Sequence, residues 1–351
     1  MTHLWIRAES RPNEKRTGIT PKGVTALRDK GFRVTIEDSP TRILPIDDFA
    51  EAGASIVAEG SWPEAPRDAI IFGLKELPEA DTPLVHRHIM FGHAYKGQSA
   101  GARLLKRFAA GGGALYDLEY LVDENGRRVA AFGYWAGYAG AAVSLLAWAA
   151  QADGKTCPPV HTWRDADMLQ DDLRAALDIA PCGSAIVIGA LGRVGRGARD
   201  LCAQMDVPVT CWDMAETAHG GPFPEILDHG VFLNCILATE GVPVFVPREA
   251  VDTSRSLRVI GDIACDPDSP FNPIPIYDAA TSWDHPVTRV CDAPPLDVMA
   301  IDNLPSLLPR ESSLDFAEQL LPHLLALEAI DAGVWGRAHE TYLQHKPEER
   351  T

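Results

Sequence analysis

A chain of 351 residues exceeds the size at which one hydrophobic core usually keeps growing, so two domains are expected. Its 46% hydrophobic and 23% charged residues are those of a globular protein able to bury substantial cores. The net charge of −17 argues against DNA or RNA as the main partner, while leaving room for a small anion held by local arginines.

The chain opens with Arg7, Glu9 and Arg11 already in place and no apolar run, so no secretory leader is predicted and a cytoplasmic location is expected. Leu4 to Ile6 reads as a strand. Thr20 offers an N-cap ahead of Pro21, with Val24 and Leu27 as the apolar face of a helix that Gly31 stops. Phe32, Val34 and Ile36 then alternate as a strand should. A short helix near Ile46 to Ala52 precedes a strand at Ser55 to Val57. Ala69 to Phe72 and His88 to Phe91 read as two more strands, each ending just before a polar cluster. Leu104 to Ala110 is helical until the Gly111 to Gly113 run breaks it. Such alternation predicts a parallel sheet with right-handed crossovers, whose ligands bind beyond the carboxyl ends of the strands.

Asn125-Gly126 fits a tight hairpin turn. The apolar stretch from Ala130 to Ala150 is broken by Gly133, Gly137 and Gly140. It reads as a buried helix packed closely on another element rather than a membrane span. Lys155 to Asp167 reads as a surface loop. The seven cysteines are scattered without short paired spacings, which predicts reduced, mostly buried thiols and no metal site.

Ser184 to Ile188 is a continuous apolar strand of the kind buried on both faces. It runs into Gly189-Ala190-Leu191-Gly192-Arg193-Val194-Gly195, and then into a helix containing Ala198, Leu201 and Cys202. Glycines let a backbone turn tightly against a pyrophosphate, whose charge meets helix N-terminal amides. A second strand, Val207 to Cys211, leads to Asp213, 24 residues past Gly189, where an acid binds an adenosine ribose and repels a 2′-phosphate. NAD is therefore the expected cofactor, with Arg193 or Arg196 as the groups that would meet a 2′-phosphate instead.

Lys75 and His93 both follow strands. Histidine is suited to acid–base work near neutral pH, and lysine joins it where its pKa is lowered. Glu76 and Glu119 are acids that could tune such a pair. Arg16, Arg127 and Arg128 are candidates for holding substrate carboxylates through guanidinium forks.

The ordered motifs resemble a known family. They are Arg7-Ala8-Glu9, Arg16 with Thr20-Pro21, Gly73-Leu74-Lys75-Glu76-Leu77-Pro78-Glu79, His93-Ala94-Tyr95-Lys96, Tyr116-Asp117-Leu118-Glu119 and Gly126-Arg127-Arg128-Val129-Ala130-Ala131-Phe132-Gly133. The glycine turn, Glu216-Thr217, Gly220-Gly221-Pro222-Phe223, Asn272 to Tyr277 and Asp302 to Glu311 complete the set. Together they are similar to NAD-dependent, L-lysine-forming saccharopine dehydrogenases, in the wider alanine dehydrogenase and transhydrogenase group. The resemblance implies an α/β fold of two Rossmann-like domains with parallel sheets around an interdomain cleft. A substrate-side domain of residues 1–133 plus 316–351 and an NAD-binding domain of residues 134–315 are expected.

The implied reaction is oxidation of saccharopine to L-lysine and 2-oxoglutarate with NAD reduced, a step of lysine biosynthesis. Lys75 would take the proton from the secondary amine, and His93 would serve water addition and carbinolamine collapse. Arg16, Glu76, Lys96, Glu119, Arg128 and Phe132 match substrate-side residues. Gly189, Gly192, Arg193, Val194, Gly195, Asp213, Thr217 and Asp302 match cofactor-side residues. A monomer is implied. Fungal members tend to carry a cysteine where this chain has Val194, so a loop disulfide to Cys235 is impossible here.

An amino-acid dehydrogenase such as alanine dehydrogenase is the alternative. It shares the domain order and the Lys/His pair, but its substrate has a single carboxylate, whereas the arginines and flanking acids here argue for something larger. A cofactor-binding sensor without turnover ranks below both, because Lys75, His93 and Asp302 are all present.

Overall fold

The structure is a computed structural model that describes residues 1–97 and 99–347, so the end of the expected substrate-side domain, residues 348–351, lies outside the described residues. The chain divides into two compact units, Met1–Ala131 with the segment from Ser312 onward, and Phe132–Glu311.

In the first unit β1 (His3–Ile6), α1 (Pro21–Asp29), β2 (Arg33–Glu37), α2 (Ile46–Glu51) and β3 (Ser55–Val57) are followed by β4 (Ile70–Phe72), β5 (Arg87–Met90), α3 (Ser99–Gly111) and β6 (Ala114–Asp117). The strands form one parallel sheet in the order β3-β2-β1-β4-β5-β6. This is the doubly wound order, and its switch point lies between β1 and β4. Helix α1 starts where expected: the Thr20 hydroxyl accepts the Gly23 N–H at 3.1 Å with Pro21 at the first position. The centre strand β4 is Ile-Ile-Phe with every residue buried, as a strand covered on both faces must be. The Asn125-Gly126 turn is closed by the Asp123 carboxylate, which accepts the N–H groups of Asn125 and Arg127, and the flanking chains touch through a bridge between Val122 and Arg128.

The second unit holds α4 (Gly133–Ala152), α5 (Ala166–Ile179), β7 (Ala185–Ile188), α6 (Arg193–Gln204), β8 (Val209–Trp212), α7 (Met214–Thr217), β9 (Val231–Asn234), β10 (Val259–Asp262), β11 (Thr288–Asp292) and β12 (Pro295–Met299). Its sheet runs β11-β12-β10-β9-β7-β8, parallel except for the edge strand β11. The small residues of α4 are explained by α6. A Cβ on Gly137 would stand 1.8 Å from the Val194 carbonyl oxygen, and one on Gly197 would stand 1.9 Å from that of Tyr134. Backbone meets backbone there, so the helices need glycine on both sides. Among the described residues no helix is long and apolar enough to cross a membrane.

The segment expected as a surface loop, Lys155 to Asp167, is instead partly core. Cys157, Val160 and Trp163 are buried, and the Val160 and Trp163 amides bond to the Trp283 and Leu307 carbonyls at 2.8 and 2.9 Å. Its apolar residues recur without a helical or strand period, so the pattern hides their burial. The thiols also differ from expectation: Cys157, Cys182 and Cys202 are buried, Cys235, Cys265 and Cys291 are intermediate and Cys211 is exposed. Helix α8 (Pro309–Leu324) contains the division between units, and α9 (Gly333–His345) packs on β6 of the first unit, where the Tyr342 hydroxyl donates to the Gly113 carbonyl at 3.2 Å.

His88 on β5 is 1% exposed between the ring edges of Trp62 and Phe108, and neither ring nitrogen has a partner among the described residues. Burial, then the charges of Arg7, His86 and Arg107, push its pKa well below the ordinary 6.5. The unfolded chain therefore binds a proton here before the folded one does. The stability this neutral ring contributes is full above about pH 6.5 and is lost as pH falls toward the folded value. His88→Phe is expected to flatten the decline of the urea midpoint on the acid side. An identical acid limb in wild type and variant would refute the buried, neutral imidazole.

Candidate active site and dinucleotide loop

Beyond the carboxyl end of β4 the backbone amides run out of strand partners. The ladder persists for a few residues: Arg7 N–H bonds to the Phe72 carbonyl, Gly73 N–H to that of Ile89, and Phe91 N–H to that of Leu74. After that, side chains take over. Glu9 accepts the Leu74 N–H at 2.6 Å through one oxygen and the Lys75 N–H at 3.0 Å through the other. Arg7 pairs with Glu9 at 3.3 Å and also donates to the Lys75 carbonyl. Both side chains are buried, 2% and 8% exposed.

His93 is held in a comparable way beyond β5. Asp117, at the end of β6 and fully buried, accepts the Gly92 N–H at 3.2 Å and the Glu119 N–H at 2.9 Å. Burial raises this carboxyl to about 6. His93 itself has a φ of 47°, in the left-handed region where a side chain with a Cβ carries strain. Its ring stacks on Phe91 with 23° between planes. The ring is open to solvent on one side, yet its pKa lies below 6.5, first because protein mass crowds it and next because the Lys75 ammonium lies close enough to oppose a second positive charge. Glu119 works the other way. The two acid–base candidates thus stand in each other's field.

The flanking charges are mostly paired with one another. Lys96 donates to Glu119 at 2.9 Å, and that bond raises the lysine pKa. Glu76 pairs with Arg11, while its second oxygen is buried with no hydrogen-bond partner among the described residues. Arg16, expected as an open fork, is 5% exposed and grips Glu14 bidentately at 2.6 and 2.7 Å. Burial alone would raise the Glu14 carboxyl, but its bonds to Arg16 and the positive charges of Arg16 and Lys75 outweigh that and hold it below the ordinary value. Arg128 is exposed at the end of the hairpin and within the field of Lys96. Phe132 belongs to the second unit, as the residue before α4.

Sequence reasoning left Glu9, Arg7, Arg11, Glu14 and Asp117 without roles. For Glu9 and Asp117 the signal was position: acids at or just past a strand end, where unpaired amides need acceptors.

In the second unit Gly189 turns the chain out of β7 with φ 85°, a conformation that favours glycine, and a Cβ there would stand 2.5 Å from Ile236. Gly195 closes the turn: its Cβ would stand 2.2 Å from the Gly189 oxygen. Gly192 caps α6 without a side chain, so the first amides of that helix keep their capacity for an anion. Arg193 and Val194 are the first, half-buried residues of the helix. Asp213 follows β8 and accepts the Leu191 and Met214 N–H groups, both at 2.9 Å, in a capping box with Glu216, and Thr217 donates to its carbonyl at 3.0 Å. Asp302 is exposed just past the carboxyl end of β12. The glycine turn, Asp213 and Asp302 thus gather at one edge of one sheet, a donor and acceptor set that fits an adenosine ribose and a pyrophosphate.

The first unit has a related, wholly parallel six-stranded sheet with a different strand order, and it lacks this site. Glu37 sits at the end of β2 as Asp213 sits at the end of β8, yet it is 0% exposed. Its oxygens already accept the Trp5 indole N–H and the amides of Ala8, Gly60 and Trp62, at 2.6 to 3.2 Å. The connection after β1 has no glycine-rich turn.

Comparison with known proteins follows the same lines. Residues 5–139 match the family described as alanine dehydrogenase/PNT, N-terminal domain. The chain is 47% identical over 357 residues to the saccharopine dehydrogenase (NAD(+), L-lysine-forming) of Schizosaccharomyces pombe, with 97% of each chain covered. It is 46% identical over 357 residues to the protein of the same name from Yarrowia lipolytica, again with 97% of each covered. A solved L-alanine dehydrogenase aligns over 98% of this chain and 94% of its own, with a TM-score of 0.69 at 17% identity, a likeness of fold.

Breaking the Glu14–Arg16 pair removes a bidentate carboxylate from a buried guanidinium. Glu14→Ala is expected to cost about 3–5 kcal/mol in urea unfolding. Lys96→Ala, which removes a pair whose lysine is 59% exposed, should cost no more than about 1 kcal/mol. Equal losses would contradict the assigned burial.

Proposed function

This chain belongs to the NAD(+)-dependent, L-lysine-forming saccharopine dehydrogenase family, and we propose that Lys75 and His93 carry its acid–base chemistry. It is an oxidoreductase acting on a CH–NH bond, converting saccharopine reversibly to L-lysine and 2-oxoglutarate. The observation that carries the residue assignment is the placement of Lys75 and His93 just beyond the carboxyl ends of the adjacent strands β4 and β5.

NAD, when bound, accepts a hydride from the carbon that bears the secondary amine. The residues handle the protons. Neutral Lys75 takes the proton from the amine nitrogen so that its lone pair can form the imine as hydride leaves. His93, kept neutral by crowding and by Lys75, takes a proton from the water that adds to the imine carbon. It returns a proton as the carbinolamine collapses to the ketone and the lysine amine departs. Neighbouring cations lower the pKa of such a base, and acids such as Glu76, Glu119 and Glu14 raise it, so the pair is set by the balance of the two.

Arg16, Lys96 and Arg128 of the first unit are the cations proposed to meet the carboxylates of the substrate; Phe132, the residue before α4 in the second unit, is proposed as a further substrate-side residue. The bridges that Arg16 makes to Glu14 and Lys96 makes to Glu119 would be exchanged for substrate contacts. In the second unit, Gly189, Gly192, Arg193, Val194 and Gly195 are proposed to cradle the pyrophosphate, Asp213 and Thr217 to meet the adenosine ribose, and Asp302 to border the nicotinamide end. The filled Glu37 supports placing the dinucleotide in the second unit and the substrate in the first. A monomer working in the cytoplasm is the proposed context, supported by the acidic composition and the absence of short cysteine pairs.

NADH oxidation with lysine plus 2-oxoglutarate tests this reading. Lys75→Met and His93→Gln are each expected to lower kcat by about 10²-fold or more while NADH affinity, read by fluorescence, stays unchanged. Asp213→Ala should weaken NADH binding instead. Turnover with pyruvate plus ammonia, or full activity in both acid–base variants, would overturn it.

A further inference from the structure

We propose that the buried pair Arg7–Glu9 is a positioning device for Lys75, fixing the peptide from which the catalytic amine projects. The inference rests on the assignment of Lys75 as a proton acceptor. Its structural basis is independent of that assignment. The Lys75 peptide is held at both ends by one ion pair: Glu9 takes its N–H at 3.0 Å and Arg7 donates to its carbonyl. Glu9 also takes the preceding Leu74 N–H at 2.6 Å. Arg7 reaches the carbonyl by crossing Gly73, where a Cβ would stand 2.4 Å from the guanidinium carbon. Glycine at that position is the space through which the clamp closes.

A lysine side chain is long and rotatable, so the place of its nitrogen depends on how firmly its backbone is fixed. The backbone ladder toward β5 is last recorded at Leu74, and at Lys75 the described backbone bonds come from Glu9 and Arg7. A buried ion pair contributes little net stability by itself, because the desolvation of two charges offsets their attraction. Two such side chains converging on one peptide are better explained by geometry. A reacting group displaced by about 1 Å can lose about 10²-fold in rate.

Glu9 bonds to Arg7 and to the Leu74 and Lys75 amides within the first unit, so its removal should show in kcat and not in cofactor binding. The test is a double-mutant cycle on saccharopine oxidation with the full chain. Glu9→Gln keeps the shape but presents an NH₂ to one of the two amides and loses the charge toward Arg7. It is expected to lower kcat about 10- to 100-fold, with the KM for NAD unchanged within about twofold. In a Lys75→Met background the same substitution should change kcat by less than about twofold, since the group it positions is gone. Arg7→Lys keeps the charge but not the fork, and serves if Glu9→Gln does not fold. Thr35→Val removes the buried His3–Thr35 bond at the far end of the same sheet. It is the control for stability loss alone, with kcat expected to be unchanged.

If Glu9→Gln and Arg7→Lys keep wild-type kcat, or if Glu9→Gln costs as much in Lys75→Met as in wild type, the clamp is refuted. Full activity in Lys75→Met would instead refute the assignment of Lys75, which separates the two failures.

Discussion

A parallel sheet satisfies its backbone amides along its length and abandons them at its carboxyl edge, and this protein answers with buried carboxylates. Glu9 takes the amides of Leu74 and Lys75, Glu37 those of Ala8, Gly60 and Trp62, Asp117 those of Gly92 and Glu119. Asp213 takes those of Leu191 and Met214. Each acid costs desolvation, and each is repaid by charge-assisted bonds to donors that would otherwise be orphaned. The loops that leave the strands are held by these anions, and the chemistry rides on the loops.

That constraint separates two units of related topology. In the first, Glu37 is saturated by its own chain and sealed from solvent, which leaves the edge free to present Lys75 and His93. In the second, Asp213 remains half-buried beside a glycine turn whose helix has no side-chain cap. On the proposed assignment the first edge offers proton carriers, and the second offers amides and an acid for the ribose.

Much of this was legible in the sequence because it depends on local pattern. The apolar run at Ala185 to Ile188, the glycine turn after it and the spacing to Asp213 are short-range signals, and so are the strands that end before Lys75 and His93. The Gly-rich face of α4 announced close packing without naming α6 as its partner. What stayed hidden depends on pairs distant in sequence. Glu9 meets Lys75 across 66 positions, and nothing in either neighbourhood marks the contact. Arg16 looks like an open anion receptor until Glu14 is seen folded back on it. The segment around Val160 and Trp163 is polar on average, yet its few apolar side chains anchor it in the core.

The central claim is that Lys75 and His93 titrate as the working pair, and the pH dependence of kcat for saccharopine oxidation measures it most directly. The account predicts that the acid limb loses one titrating group in Lys75→Met and a different one in His93→Gln, as each removes a base that must be unprotonated. An acid limb of the same shape and position in wild type and both variants would contradict it.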